Sequence, residues 1–295
     1  MNTLIPAIGF GLVTASILAI AAVGFTLQFG VTNVFNLAYG DTMTASVFVA
    51  YMCNKAGANI WIGLLAGTIF GALFSALLNR SVYTPFVRHG TRLFGMVIVT
   101  ISVSLIIQNG LQAIWGPKFF SFRMSSGRTL HLGRMVFTAT QLEVMAIAVA
   151  AMFFIYALLR YTKLGKAMRA TATNPILARS CGIATDRVTD LAWLISGAMC
   201  GLAGVALVMN LASFTSTTGG TFLPIIVASA ILGGVGQPYG AMLGALTIGL
   251  ATEVAAAVFA PAYKDVVAFV ILVLVLLIRP QGILSEIAVQ KEVVA

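Results

Sequence analysis

Two carboxylates, Asp41 and Glu253, stand inside apolar sequence, and their surroundings limit the chemistry open to them. Asp41 closes a polar interruption, GVTNVFNLAYGD at 30–41, which also holds Asn33, Asn36 and Gly40. A second interruption, SFTSTTGGT at 213–221, supplies Ser213, Thr215, Thr217 and Thr218. Amides, hydroxyls and one acid suit the lining of a path for a polar cargo, or the capping of helix ends. They do not make an acid–base pair: no paired acid and base share an apolar run, and His89 and His131 fall in polar stretches. Cys53, Cys181 and Cys200 follow no metal or redox spacing. No G-x-x-x-x-G-K-S/T loop is present to hold nucleotide phosphates, so energy must come from a partner. The chain reads as a passage, with no catalytic residue, metal site or cofactor of its own.

Composition says what must position these groups. With 60% of residues hydrophobic and 8% charged, most of the surface must be solvated by lipid, which excludes a soluble α/β enzyme. The net charge of +9 raises nucleic acid as a partner. However, the cations lie in loops and at the ends of apolar runs, where membrane topology and anionic lipid account for them. The N-terminus, MNTLIPAIGFGL, lacks the basic region and cleavage site of a removable signal, so the first apolar run is expected to stay as a span.

Eight or nine membrane helices are expected, two of them broken. They cover Ile5 to about Gln28, Thr42–Cys53, Trp61–Asn79, Leu93–Trp115, Leu142–Leu159, Trp193 to about Asn210, Phe222–Leu232, Ala241 to about Phe259, and Pro261–Ile278. The polar interruptions belong to the short second and seventh spans, and are tolerated only where protein or water covers the backbone. Gly63, Gly67 and Gly71 recur at four-residue spacing and let a neighbouring backbone approach; Gly197, Gly201 and Gly204 are read the same way. Residues 80–92 read as a short basic loop, 116–141 as a polar outer loop and 233–240 as a tight turn. Glu253 is expected to pair with a neighbouring helix or a partner chain, and Lys264 to snorkel outward.

Charge collects in one loop, 160–191. Six of the chain's 17 Lys and Arg residues lie there (Arg160, Lys163, Lys166, Arg169, Arg179, Arg187), which predicts a cytoplasmic loop, an outside N-terminus and a cytoplasmic C-terminus. Within it, Asn174-Pro175 is a helix start and Gly182 a stop. They bound a helix of two turns, Pro175 to Cys181, too short to hold together alone. Ile176, Leu177, Ala178 and Arg179 form its body.

Sliding the chain by 177 residues sets Gly24 on Gly201, Gly57 on Gly234, Gly63 on Gly240 and Gly67 on Gly244, and brings the two polar breaks together. Five crossings separate the copies, and an odd number inverts the second, as in transporters built from inverted repeats. The expected fold is therefore an all-α polytopic membrane protein. It forms one domain over residues 1–295, with repeat halves at about 5–115 and 190–280.

Several stretches are similar to the permease subunits of branched-chain amino acid ABC importers: GFTLQFGVTNVFNLAYGD (24–41), LGKAMRATATNPILARSCGIATDRV (164–188), ILGGVGQPYGAMLGALTIGL (231–250), YKDVV (263–267) and RPQGIL (279–284). The resemblance implies that 164–188 contains the coupling helix that docks on an ATPase. It also implies a second, paralogous permease subunit, two ATPases that bind ATP and Mg, and an extracytoplasmic substrate-binding protein. Where the family usually reads Asn-Phe-Ala-His-Gly-Glu, this chain has Asn36-Leu37-Ala38-Tyr39-Gly40-Asp41. The acid is one methylene shorter and a phenol replaces the imidazole. Urea, short amides and aromatic acids therefore stand as alternative cargoes beside branched-chain amino acids. A stand-alone secondary transporter or channel is the rival class, with only Asp41 and Glu253 to couple an ion.

Overall fold

The computed structural model describes residues 4–123, 129–132, 135–259, 263–278 and 282. The chain begins with α1 (Leu4–Thr32), which carries no charge and is largely enclosed by the rest of the molecule. It leads through a non-helical stretch into α2 (Tyr39–Lys55), α3 (Ile60–Leu78), a π-helical turn (Asn79–Tyr83), α4 (Thr84–Arg88) and α5 (Leu93–Trp115). A hairpin of β1 (Thr129–Leu132) and β2 (Met135–Thr138) follows, antiparallel, with Thr129 opposite Thr138. The second half comprises α6 (Ala139–Tyr161), α7 (Lys163–Thr173), α8 (Pro175–Ser180), α9 (Thr185–Leu211), α10 (Thr218–Gly233), α11 (Pro238–Val258) and α12 (Lys264–Ile278).

Six of these are long and apolar enough to cross a bilayer: α1, α3 with its extension to Arg88, α5, α6, α9 and α11. Helices α10 and α12 are shorter apolar helices, and α2, also shorter, carries Asp41 and Lys55 at its two ends. The chain is thus a multi-pass α-helical membrane protein.

The packing repeats itself. Helix α1 lies on α11 as α3 lies on α9, α2 on α3 as α10 on α11, and α2 on α5 as α10 on α12. At the centre α1 and α9 pack on each other in opposite directions. Near one end Gln28 accepts from Ser196 at 3.1 Å, and near the other Phe10 and Thr14 line a cavity with Asn210 and Leu211. Each copy also has the same fault in its backbone. Asn33 (φ 55°) and Ala212 (φ 61°) are the only non-glycine residues at positive φ among the described ones, and each ends the long helix just before its break. Backbones meet where side chains are missing: a methyl on Gly197 would strike the carbonyl of Gly71.

Three expectations need correction. Residues 80–92 are not a loop, because α3 runs on through the π turn to Arg88. Pro85 explains the wide turn: it has no N–H for the preceding carbonyls and its ring crowds a regular helix. The outer loop at 116–141 is not wholly irregular, since it contains the hairpin. Lys264 does not snorkel away but pairs with Glu253 at 2.7 Å, while Thr14 donates to the same carboxylate oxygen at 3.0 Å. Pro261 and the stretch 279–281 lie outside the described residues.

Candidate functional site

The short helix α8 stands out from the bundle as a capped arm. Asn174 Oδ1 accepts from the N–H of Ile176 at 3.1 Å and of Leu177 at 3.0 Å, so two of the donors left open at a helix start are satisfied by one side chain. Cys181 closes the helix and Gly182 takes φ 84°, the left-handed conformation that costs glycine little. Ala178 faces inward at 4% exposure, whereas Ile176 and Leu177 are 80% and 60% exposed. The arm is braced on α9: Arg179 donates to Thr185 at 2.9 and 3.1 Å and to Asp186 at 3.0 Å. The brace is polar and largely exposed, so it positions the arm more than it stabilises it.

Asn36 and Asp41 do different work from each other. Asn36 is buried, and its Oδ1 accepts from the Ala38 N–H at 3.1 Å and the Tyr83 hydroxyl at 3.3 Å, so it holds the broken segment in shape. Asp41 sits in the first turn of α2 but makes no capping bond there. Its Oδ2 instead accepts from Ser104 of α5, while Oδ1 has no hydrogen-bond partner although the residue is 2% exposed. Tyr39 is also buried. Its hydroxyl donates to the Ala21 carbonyl at 3.1 Å, beside Gly24, where a side chain would collide with it.

At the second break the threonines serve one another. Thr218 Oγ1 accepts from the Thr215 N–H at 2.8 Å, and the Thr215 and Thr217 hydroxyls are 3.1 Å apart. Ser213 and Asn33 are exposed, at opposite ends of the bundle. The first turns of the two short helices nevertheless meet: Gly40 and Gly219 touch backbone to backbone, and the Gly219 N–H donates to Thr44 at 2.9 Å. The structure thus brings Asp41 to the start of α10, and leaves Asn33, Asn36, Ser213, Thr215, Thr217 and Thr218 spread along the two breaks.

Sequence reasoning missed two groups. The first joins the arm to the first break: Asp190 of α9 accepts from Asn79 at 2.7 Å, and Tyr83, four residues on, stacks on Trp193 at 4.8 Å while donating to Asn36. A cavity of about 1330 Å³ opens between them, bordered by Asn33, Arg88 and Arg179. The second is an aromatic cluster over the second break, with Phe48 at 5.1 Å from both Trp115 and Phe214. Phe120 joins it through two backbone bonds of 2.8 Å to Phe214. The only signal in the sequence for either group was a polar or aromatic residue at a span end, which ordinary interfacial anchoring also produces.

Two inverted copies, each with a broken helix whose short half starts inside the bundle, define a polytopic membrane-protein scaffold of the inverted-repeat kind. Residues 7–276 match the family described as branched-chain amino acid transport system / permease component, and the chain belongs to that family. It is 30% identical over 296 residues to the high-affinity branched-chain amino acid transport system permease protein LivH of Escherichia coli, covering 95% of each chain. The corresponding protein BraD of Pseudomonas aeruginosa is 30% identical over 302 residues, again with 95% of each covered. Among solved structures, a chain of PsaBC from Streptococcus pneumoniae in complex with Fab superposes with a TM-score of 0.52 at 12% identity, over 92% of both chains; this likeness is one of fold alone.

Proposed function

We propose that the chain is the membrane-spanning permease subunit of an ATP-binding-cassette importer for branched-chain or related hydrophobic amino acids. Family membership along nearly the whole chain carries this reading. In it, α8 docks on one of two partner ATPases, which bind the ATP and Mg. A paralogous second permease subunit completes the passage, and an extracytoplasmic binding protein delivers the cargo. The N-terminus lies outside and the C-terminus in the cytoplasm. The exposed Ile176 and Leu177 on a helix too short to fold alone support docking there, because such a helix needs a partner surface.

The mechanism is alternating access without a covalent step in this chain. Closure of the ATPases moves α8, and the brace of Arg179 on Thr185 and Asp186 passes that motion to the start of α9. Asp190 and Trp193 hand it to the π turn through Asn79 and Tyr83, and Tyr83 to Asn36 at the first break. Asp41, Asn33, Asn36, Ser213, Thr215, Thr217 and Thr218 are the groups along which cargo would travel. A ligand shifts such an equilibrium only through unequal affinity for its two states, so selection falls chiefly to the binding protein.

The test is leucine uptake into vesicles carrying this chain with its partner subunits, and then without the ATPases. The expected result is ATP-dependent uptake that disappears without them. Uptake that persists would mean a stand-alone transporter or channel, and uptake of urea, acetamide or an aromatic acid in place of leucine would reassign the cargo.

A further inference from the structure

The Asp41 carboxylate is a paid-up structural group on one side only. Its Oδ2 is held by Ser104, but Oδ1 is buried and receives no donor. Buried acceptors are almost always hydrogen-bonded, and an exception calls for a reason. The reason is visible in what faces the free oxygen. Across from it lies Gly220 in the first turn of α10, where an added methyl would sit 3.3 Å from Oδ1 and 3.8 Å from the amide nitrogen of Gln108. The missing side chain leaves a small gap bordered by a carboxylate oxygen, a glycine and an amide. Ser104, Gln108 and Gly220 are half-buried, so the gap lies just beneath the seam between α5 and α10.

Electrostatics decide what the gap would take. Two helix starts converge here, those of α2 and α10, and each carries partial positive charge. Without Asp41 such a place would favour an anion. The carboxylate occupies that anion position itself and leaves one buried oxygen unbonded toward the gap, so the group that completes the site is an N–H donor, and an ammonium is the strongest such donor to a carboxylate.

We propose that Oδ1 of Asp41 receives the α-ammonium group of the cargo, so that this permease adds a requirement for a protonated amine to the selection already made by the binding protein. The inference rests on the importer reading and adds a substrate criterion to it. An amino acid satisfies that criterion; urea, a short amide and a simple aromatic acid do not. In the conformation described here Oδ1 is shielded from solvent, so the cargo meets it when α5 and α10 separate during the transport cycle.

The experiment uses the assembled importer in proteoliposomes, with radiolabelled leucine as probe and two readouts: uptake, and ATP hydrolysis stimulated by the leucine-loaded binding protein. Asp41→Asn keeps the shape and removes the charge; it is expected to lower uptake about tenfold or more. Stimulated hydrolysis should stay within about twofold of wild type, since α8 and its brace are untouched. Asp41→Glu, which restores the charge, should recover a substantial share of uptake. Gly220→Ala fills the space before Oδ1 without altering the acid and should also lower uptake, which covers the case in which Asp41→Asn fails to assemble. The proposal is overturned if leucine uptake in an assembled Asp41→Asn or Gly220→Ala importer stays within about twofold of wild type. Loss of stimulated hydrolysis together with uptake would also overturn it, because Asp41 would then serve to hold α2 on α5. Wild-type uptake of acetamide or urea in place of leucine would sink the amino-acid reading as well, which separates the two failures.

Discussion

The hydroxyl of Tyr83 donates to the same oxygen of Asn36 that accepts from Ala38, so the first break is fixed both by its own backbone and by a residue 47 positions away. Tyr83→Phe removes the distant half of that arrangement and keeps the stacking on Trp193. The expected loss is about 1 kcal/mol of stability. That corresponds to a fall of about 2–4 °C in the unfolding midpoint of the purified complex. A break held less firmly should also follow α8 less faithfully, so more ATP is expected to be hydrolysed per leucine carried. A ratio equal to wild type would remove Tyr83 from the relay. At this scale the sequence was a partial guide. Asn36 and Asp41 could be picked out as polar residues at membrane depth, but nothing local told that the first has its side-chain oxygen doubly engaged and the second leaves one oxygen without a partner. That difference depends on Ser104, Gly220 and Tyr83, all distant in the chain and brought together only by packing.

Among the elements, α8 was the most legible, because its start and stop are written in side-chain chemistry: Asn174, Pro175 and Gly182 act within a few residues of themselves. Helix α5 was equally readable, from Leu93 to Trp115, between a charged residue and a glycine. The π turn was not, since one extra residue in a helix leaves hydrophobicity unchanged and only the crowding at Pro85 hints at it. Two outcomes follow from the elements' surroundings. Leu177→Asp alters an exposed position and should change the permease's own stability by no more than about 0.5 kcal/mol. It should nonetheless abolish co-purification of the ATPases, and retention of the ATPases would move the docking site elsewhere. Gly219→Ala drives a methyl into the Gly40 carbonyl at the crossing of α2 and α10. The expected cost is about 1–3 kcal/mol, read as a lower unfolding midpoint. An unchanged midpoint would show that the two short helices part easily.

For the whole molecule the question is which face meets the cytoplasm, and the distribution of charge bears on it. The helix ends around α8 carry Arg80, Arg88, Arg92, Arg160, Lys163, Lys166, Arg169, Arg179 and Arg187, whereas the opposite ends carry Lys55, Lys118, Arg123 and Lys264 among the described residues. Each cation near an anionic leaflet contributes about 1 kcal/mol, so the imbalance favours α8 inside. The inverted copy, visible from glycine spacing in the sequence, is neutral on this point, since it sets equivalent halves toward both faces. Its register is less regular than that spacing suggests: the breaks pair Asn33 with Ala212 and Gly40 with Gly219, a shift of 179 residues against 177 for the glycines. The breaks themselves are equally long, seven residues from Asn33 to Gly40 and from Ala212 to Gly219, so the two extra residues lie in the end of α9 beyond Gly201.

The natural cysteines turn this orientation into a measurement. Cys181 is exposed at the end of α8, Cys53 is half-buried near the far end of α2, and Cys200 is enclosed in α9. The neighbour of Cys53, Asn54, bonds the backbone of Arg123 at 2.8 Å, which places that end of α2 beside the loop after α5 and away from the arm. A membrane-impermeant maleimide should therefore label Cys181 in inside-out vesicles and spare it in right-side-out ones, with any labelling of Cys53 following the reverse order. Bound ATPases should protect Cys181, since the docking surface of Ile176 and Leu177 adjoins it. Labelling of Cys181 from the outside would invert the molecule, and with it the direction in which an engine on α8 could drive cargo.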